Sequence, residues 1–180
     1  MALTVGDFFT ASDAGTWTFF ERATNDRIAF TFRARQVGQN REIELDPPAG
    51  HRIKSFFDRM AITPVGLELR RIQFTNENVD IQPPFLLTLG PEANETANLF
   101  PQNLPGVPFS PPFNGVITQK HVTAEADSQQ AARWELSLVS RGRGGDILMR
   151  AEFRFVRARG LDHYSGDFYG NFFIYERLPD

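Results

Sequence analysis

The chain has 180 residues, 41% of them hydrophobic and 23% charged, which suits a single domain, residues 1–180, with ample apolar side chains for a core. A formal net charge of −3 argues against nucleic acid as a partner, because no basic excess is available to displace counterions. The absence of cysteine excludes disulfides, thiolate nucleophiles and Cys-ligated metals.

Taken in chain order, the pattern is dominated by alternation of apolar and polar residues. Val5–Ala11 is expected to be a short helix. Trp17 opens a first strand and is expected to close one end of the fold. In Arg27–Arg35, residues Ile28, Phe30, Phe32 and Ala34 share one face. A short strand follows at Glu42–Asp46. His51–Ile62 places Ile53, Phe56, Phe57 and Met60 at i, i+3, i+4, i+7 spacing, which predicts an amphipathic helix over about 51–62. Val65, Leu67 and Leu69 alternate with polar residues, and the parity shifts past Arg71 to Ile72 and Phe74, which predicts a bulge. Phe85–Leu89 is a short apolar strand.

A long proline-rich loop is expected over about 91–113, because Pro91, Pro101, Pro105, Pro108, Pro111 and Pro112 lack the ladder's N–H donor. Strands resume at Asn114–Asp127, at Arg133–Leu138 around Trp134, at Ile147–Val156 and at Asn171–Leu178. Arg141-Gly-Arg-Gly-Gly-Asp146 reads as a hairpin connection. The sum is an all-β fold, an antiparallel lipocalin-like (calycin) barrel of about 8–10 strands with one or two flanking helices.

The 18 Phe, against two Trp and three Tyr, imply either a ring-filled core or a pocket for a flat apolar ligand. His51, His121 and His163 lack ligand spacing, so no metal site is expected. The Gly-Arg-Gly-Gly run lacks the ending and the following helix of a phosphate loop. Charges on alternating strands remain. Glu176 shares the parity of Phe172 and Ile174, so that if this face lines the barrel a carboxylate sits inside it. Arg150, Glu152 and Arg154 form a row along one strand face: either a solvated row or an inward clamp for ligand carboxylates. Periodicity alone does not name the inside.

Two ends of the chain resemble the S-type phycobiliprotein (bilin) lyases. The opening carries Phe8-Phe9, Ser12, Gly15, Trp17, Arg22-Ala-Thr24 and Ile28-Ala-Phe30, and the closing strand Phe172–Arg177 ends in Glu followed by Arg. The resemblance implies a barrel that binds an open-chain tetrapyrrole and passes it to a cysteine of a phycobiliprotein subunit, with the bilin as substrate and no further cofactor. It implies ligand-binding roles for Arg22, Trp134, Glu135, Arg150 and Arg154, and a catalytic and binding role for Glu176. Arg150-Ala-Glu-Phe-Arg154 stands where that family has Arg-x-Arg-x-Ser.

Two other readings stay open on the sequence. One is an allene-oxide-cyclase- or dirigent-like barrel that folds a flexible apolar substrate. The other is a lipid or pigment carrier without chemistry. Met1–Asp7 has no basic segment leading an apolar run, and no apolar stretch approaches the ~20 residues that span a bilayer. The expectation is a cytoplasmic protein, or a stromal one after loss of a transit peptide, with no membrane partner. A homodimer is open but has no sequence feature behind it.

Overall fold

The computed structural model describes residues 3–51, 55–74, 78–89, 95–102, 113–122, 132–141, 147–168 and 171–179. The described residues are almost entirely antiparallel β. The strands are β1 (Ala14–Glu21), β2 (Asp26–Val37), β3 (Asn40–Asp46), β4 (Ser55–Thr63), β5 (Gly66–Phe74), β6 (Asn78–Leu87), β7 (Glu95–Gln102), β8 (Phe113–Val122), β9 (Arg133–Arg141), β10 (Ile147–Val156), β11 (Gly160–Phe168) and β12 (Asn171–Arg177). They form one sheet in the order β6-β5-β4-β3-β2-β1-β12-β11-β10-β9-β8-β7. Two meanders, β1 to β6 and β7 to β12, therefore meet where the first strand pairs with the last. Among the described residues no helix is long and apolar enough to cross a membrane.

The sheet is strongly curled into a half-barrel. β4 and β10 stand six strand spacings apart in the order, about 29 Å along a flat sheet. Yet the rings of Phe57 on β4 and Phe153 on β10 lie 5.5 Å apart, and Phe56 meets Tyr164 of β11 at 5.5 Å. Only a sheet folded over its concave face brings those rings together. The core is that face. Trp17, Phe19, Phe30, Phe32, Phe153, Phe155, Phe173 and Tyr175 are all buried. A 3-10 turn, Val5–Phe8, closes one end, setting Phe8 on Trp134 and Phe9 on Phe155.

Three expectations are corrected. The segment expected as a helix over about 51–62 is strand β4 from Ser55 onward. Its ladder with β5 shifts between Phe57 and Arg59 and again between Arg59 and Met60. This bulge lets Phe56, Phe57 and Met60 all be buried, and so imitates helical spacing. Among the described residues the helical content is the 3-10 turn, shorter than the Val5–Ala11 helix expected. Within the expected loop of about 91–113, Glu95–Gln102 is strand β7 despite Pro101. β7 is a terminal strand of the sheet, where one row of N–H groups has no ladder to serve. β6, the other terminal strand, carries Pro83 and Pro84, and its register with β5 breaks between Leu69, opposite Phe85, and Arg71, opposite Asp80. Phe113 opens β8, while residues 91–94 and 103–112 of that expected loop, 52–54 of the expected helix, 123–127 of the strand expected at Asn114–Asp127 and 142–146 of the expected hairpin connection lie outside the described residues.

Candidate functional site

Glu176 was expected inside the barrel; it is on the convex face. On β12 the buried pair is Phe173 and Tyr175, while Phe172 is 54% exposed. The parity that carried Glu176 is thus the outward one, and its side chain is 35% exposed. Arg22 joins it there: Arg22 Nη2 and Nε donate to Glu176 Oε2 at 2.7 and 3.0 Å.

The strand ladders set Glu135, Arg154, His163 and Glu176 in one row across β9, β10, β11 and β12. Arg154 is committed to Asp162, to which its Nε and Nη2 donate at 2.9 and 2.6 Å. Glu135 pairs with Arg133 at 3.2 Å. Arg150 is exposed, opposite Asp167 in the ladder. Trp134 lies on the other side of the sheet, fully buried between Phe8 and Phe155. The six residues therefore do not line one pocket. Arg22 with Glu176 is the pair brought together by hydrogen bonds.

A pocket does form at the end of the barrel closed by the 3-10 turn. The β1–β12 ladder joins Phe19, Phe20 and Glu21 to Arg177, Glu176 and Tyr175, and the Leu178 N–H on the Thr18 carbonyl adds one more rung. N-terminal to Thr18, β1 has no strand on that side among the described residues. The resulting gap is a groove of about 680 Å³. Small-molecule sites span ~300–1,000 Å³. One wall is Thr10, Ser12, Thr16 and Thr18; the other is the β10–β11 turn with Arg157 and Arg159, together with Arg177 and Pro179.

Each wall is fixed by identifiable bonds. Arg41 of β3 donates to the carbonyls of Thr10 and Ser12 at 2.6 and 2.7 Å. Ala158, at φ 58°, donates its N–H to the Asp7 carbonyl at 2.8 Å, which ties the opposite turn to the N-terminal segment. The floor is Trp17, stacked on Phe32 with centroids 4.6 Å apart, with the Arg177 guanidinium carbon 4.6 Å from the indole centroid. Gly160 has φ +92°, and a Cβ there would sit 2.5 Å from Trp17 Cη2, so the turn can close on the indole only as glycine.

The groove is electropositive. Arg159 is held by Asp162 and by the Leu178 carbonyl at 2.8 Å, and Arg177 donates to the Arg159 carbonyl. Arg157 is exposed and makes no ion pair among the described residues. Its charge reaches Asp7, whose carboxyl is held below the usual range chiefly by hydrogen bonds from Thr4 and in lesser part by Arg157. An aromatic floor with one uncommitted and two anchored guanidinium groups can hold an anionic group through charge-assisted hydrogen bonds. No cluster of three or more His, Cys, Asp or Glu fit to hold a metal occurs among the described residues.

Sequence reasoning missed Arg157, Arg159 and Arg177 as a group. The available signal was Arg157-Ala-Arg159-Gly160 directly after a strong strand, together with an arginine in the closing strand. The β11–β12 hairpin brings the three arginines together, and the pairing of the first strand with the last, which local pattern does not reveal, sets Trp17 and the threonine wall beside them. Comparison with family models, with characterised proteins and with solved structures finds no match to this chain.

Proposed function

We propose that the protein is a small-ligand-binding β-barrel whose ligand is a conjugated, carboxylate-bearing molecule seated at the end groove. The finer form of this reading is an open-chain tetrapyrrole, handed on to a cysteine of a phycobiliprotein subunit. The observation that carries the proposal is the arginine-rimmed groove with its Trp17 floor. A bilin is a flat conjugated molecule with two propionates for Arg157 and its neighbours. The chain has no cysteine, so a covalent acceptor must be another protein. A cyclase needs an empty preformed interior, and the described concave face is packed ring on ring; this favours binding over cyclisation.

The test is a spectral titration with phycocyanobilin. Binding should narrow and shift the bilin absorption, and Arg157→Ala with Arg177→Ala should weaken it at least tenfold, about 1.4 kcal/mol. An unchanged spectrum on mixing overturns the bilin form of the reading. Binding that both substitutions leave intact overturns the groove as its site.

A further inference from the structure

A separate cluster lies on the convex face, away from the groove. β11 carries His163 and Ser165 two residues apart, so both leave the same side of the sheet, while Tyr164 between them is buried in the core. The ladder places His163 directly opposite Glu176 of β12 and Arg154 of β10. Ser165 stands opposite Ile174 and Glu152. Ser165 Oγ is 3.1 Å from His163 Nε2, and His163 Nδ1 is 3.8 Å from Glu176 Oε1. The other oxygen of Glu176 accepts both hydrogen bonds from Arg22. Hydroxyl, imidazole and carboxylate thus follow one another in the order of a nucleophile, its base and the group that orients the base.

We infer that Ser165, His163 and Glu176 form an activated-serine site for small, uncharged acyl esters, with Arg22 as a positioning residue. With the Ser165 hydroxyl donating to Nε2, the imidazole proton sits on Nδ1 toward Glu176. Burial, and then the charge of Arg154, push His163 below its ordinary value, against the opposing carboxylates of Glu176, Glu152 and Asp162. The imidazole is therefore neutral, and able to accept a proton, at pH 7.

In the first step Ser165 Oγ bonds to the ester carbonyl carbon as its proton moves to Nε2. The oxyanion forms on the face that carries the Arg154 guanidinium. The carbon–oxygen bond to the alcohol then breaks, and the alcohol leaves with the Nε2 proton. Water repeats the sequence on the acyl-serine and releases the acid. Ser165 is only 9% exposed and stands opposite Ile174 and the anionic Glu152 in the ladder, which restricts the acyl group to small neutral ones.

The test uses the full chain with p-nitrophenyl acetate and with a fluorophosphonate reagent. Nitrophenolate release is read against intact mass and peptide mapping. The expected result is one adduct, on Ser165, that is lost in Ser165→Ala and reduced at least ~100-fold in His163→Ala, with unchanged melting temperatures. The rate should rise with pH through a midpoint below 6.5, the ordinary histidine value. Arg22→Ala leaves Glu176 less neutralised, so the midpoint should move upward, and Arg22→Lys should restore it in part. Absence of a Ser165 adduct, or an acetate rate unchanged in Ser165→Ala, overturns the inference.

Discussion

The two faces of the curled sheet over β1 to β5 are held by different physics. On the concave side Phe30, Phe56 and Phe19 touch ring to ring, with centroids 4.4 to 5.6 Å apart. On the convex side of the same strands, arginines and carboxylates form a lattice. Arg33 pairs with Glu44 and Asp46, Arg59 bridges the same two acids, Arg35 meets Glu42, and Arg70 spans Glu42 and Glu68. Burial of a Phe contributes about 1.5–3 kcal/mol, and a solvated ion pair about 0–1. The concave face therefore carries the stability. The convex face keeps the sheet charged, and so unattractive to other sheets.

That contrast can be broken at graded cost. Phe56→Ala removes the ring shared by Phe19, Phe30, Tyr164 and Tyr175, and should lower the unfolding free energy by about 3–5 kcal/mol in denaturant titrations. Gly160→Ala drives a methyl into Trp17 at a positive φ and should cost about 2–3 kcal/mol, with a change in Trp17 fluorescence.

Glu21 is the test of a carboxylate on the concave side. It is buried at the β1–β2 turn and accepts the Thr24 N–H at 2.6 Å. Burial pushes its carboxyl up, but hydrogen bonds from Thr24, Ala23 and Ile174 outweigh burial and hold it below 4.5. Its contribution is thus complete above pH 4.5 and is lost as pH falls through the depressed folded value. Glu21→Gln should cost about 1–3 kcal/mol at neutral pH and should flatten the acid limb of the stability profile. Arg70→Ala, in the convex lattice, should cost under about 1 kcal/mol, and molar salt should erase the difference.

The sequence displayed the alternation of β2, β10 and β12 plainly, because a half-buried strand must alternate. It did not show which alternate residues face inward. On β12, Glu176 had the company of Phe172 and Ile174, and those are the outward residues. On β4, two ladder shifts around Arg59 gave a strand the spacing of a helix. On β7, proline at a terminal strand reads the same as proline in a loop. The groove was the least legible element. Residues 157–160 and 177–179 meet through the β11–β12 hairpin, but only the pairing of the first strand with the last sets residues 10–18 beside them.

That pairing also sets an order of events during synthesis. Arg22 and Glu176 are separated by 154 positions, whereas each of the other strand pairs joins consecutive strands of a meander. β1 to β6 can assemble as soon as they emerge from the ribosome, but one edge of β1 must wait, hydrogen-bond groups uncovered, until β12 arrives last. For that interval Phe19 and Phe20 lie beside an open strand edge. A nascent chain cut short before Asn171 would keep that edge open permanently, which makes the closing strand the step that turns an adhesive intermediate into a finished protein.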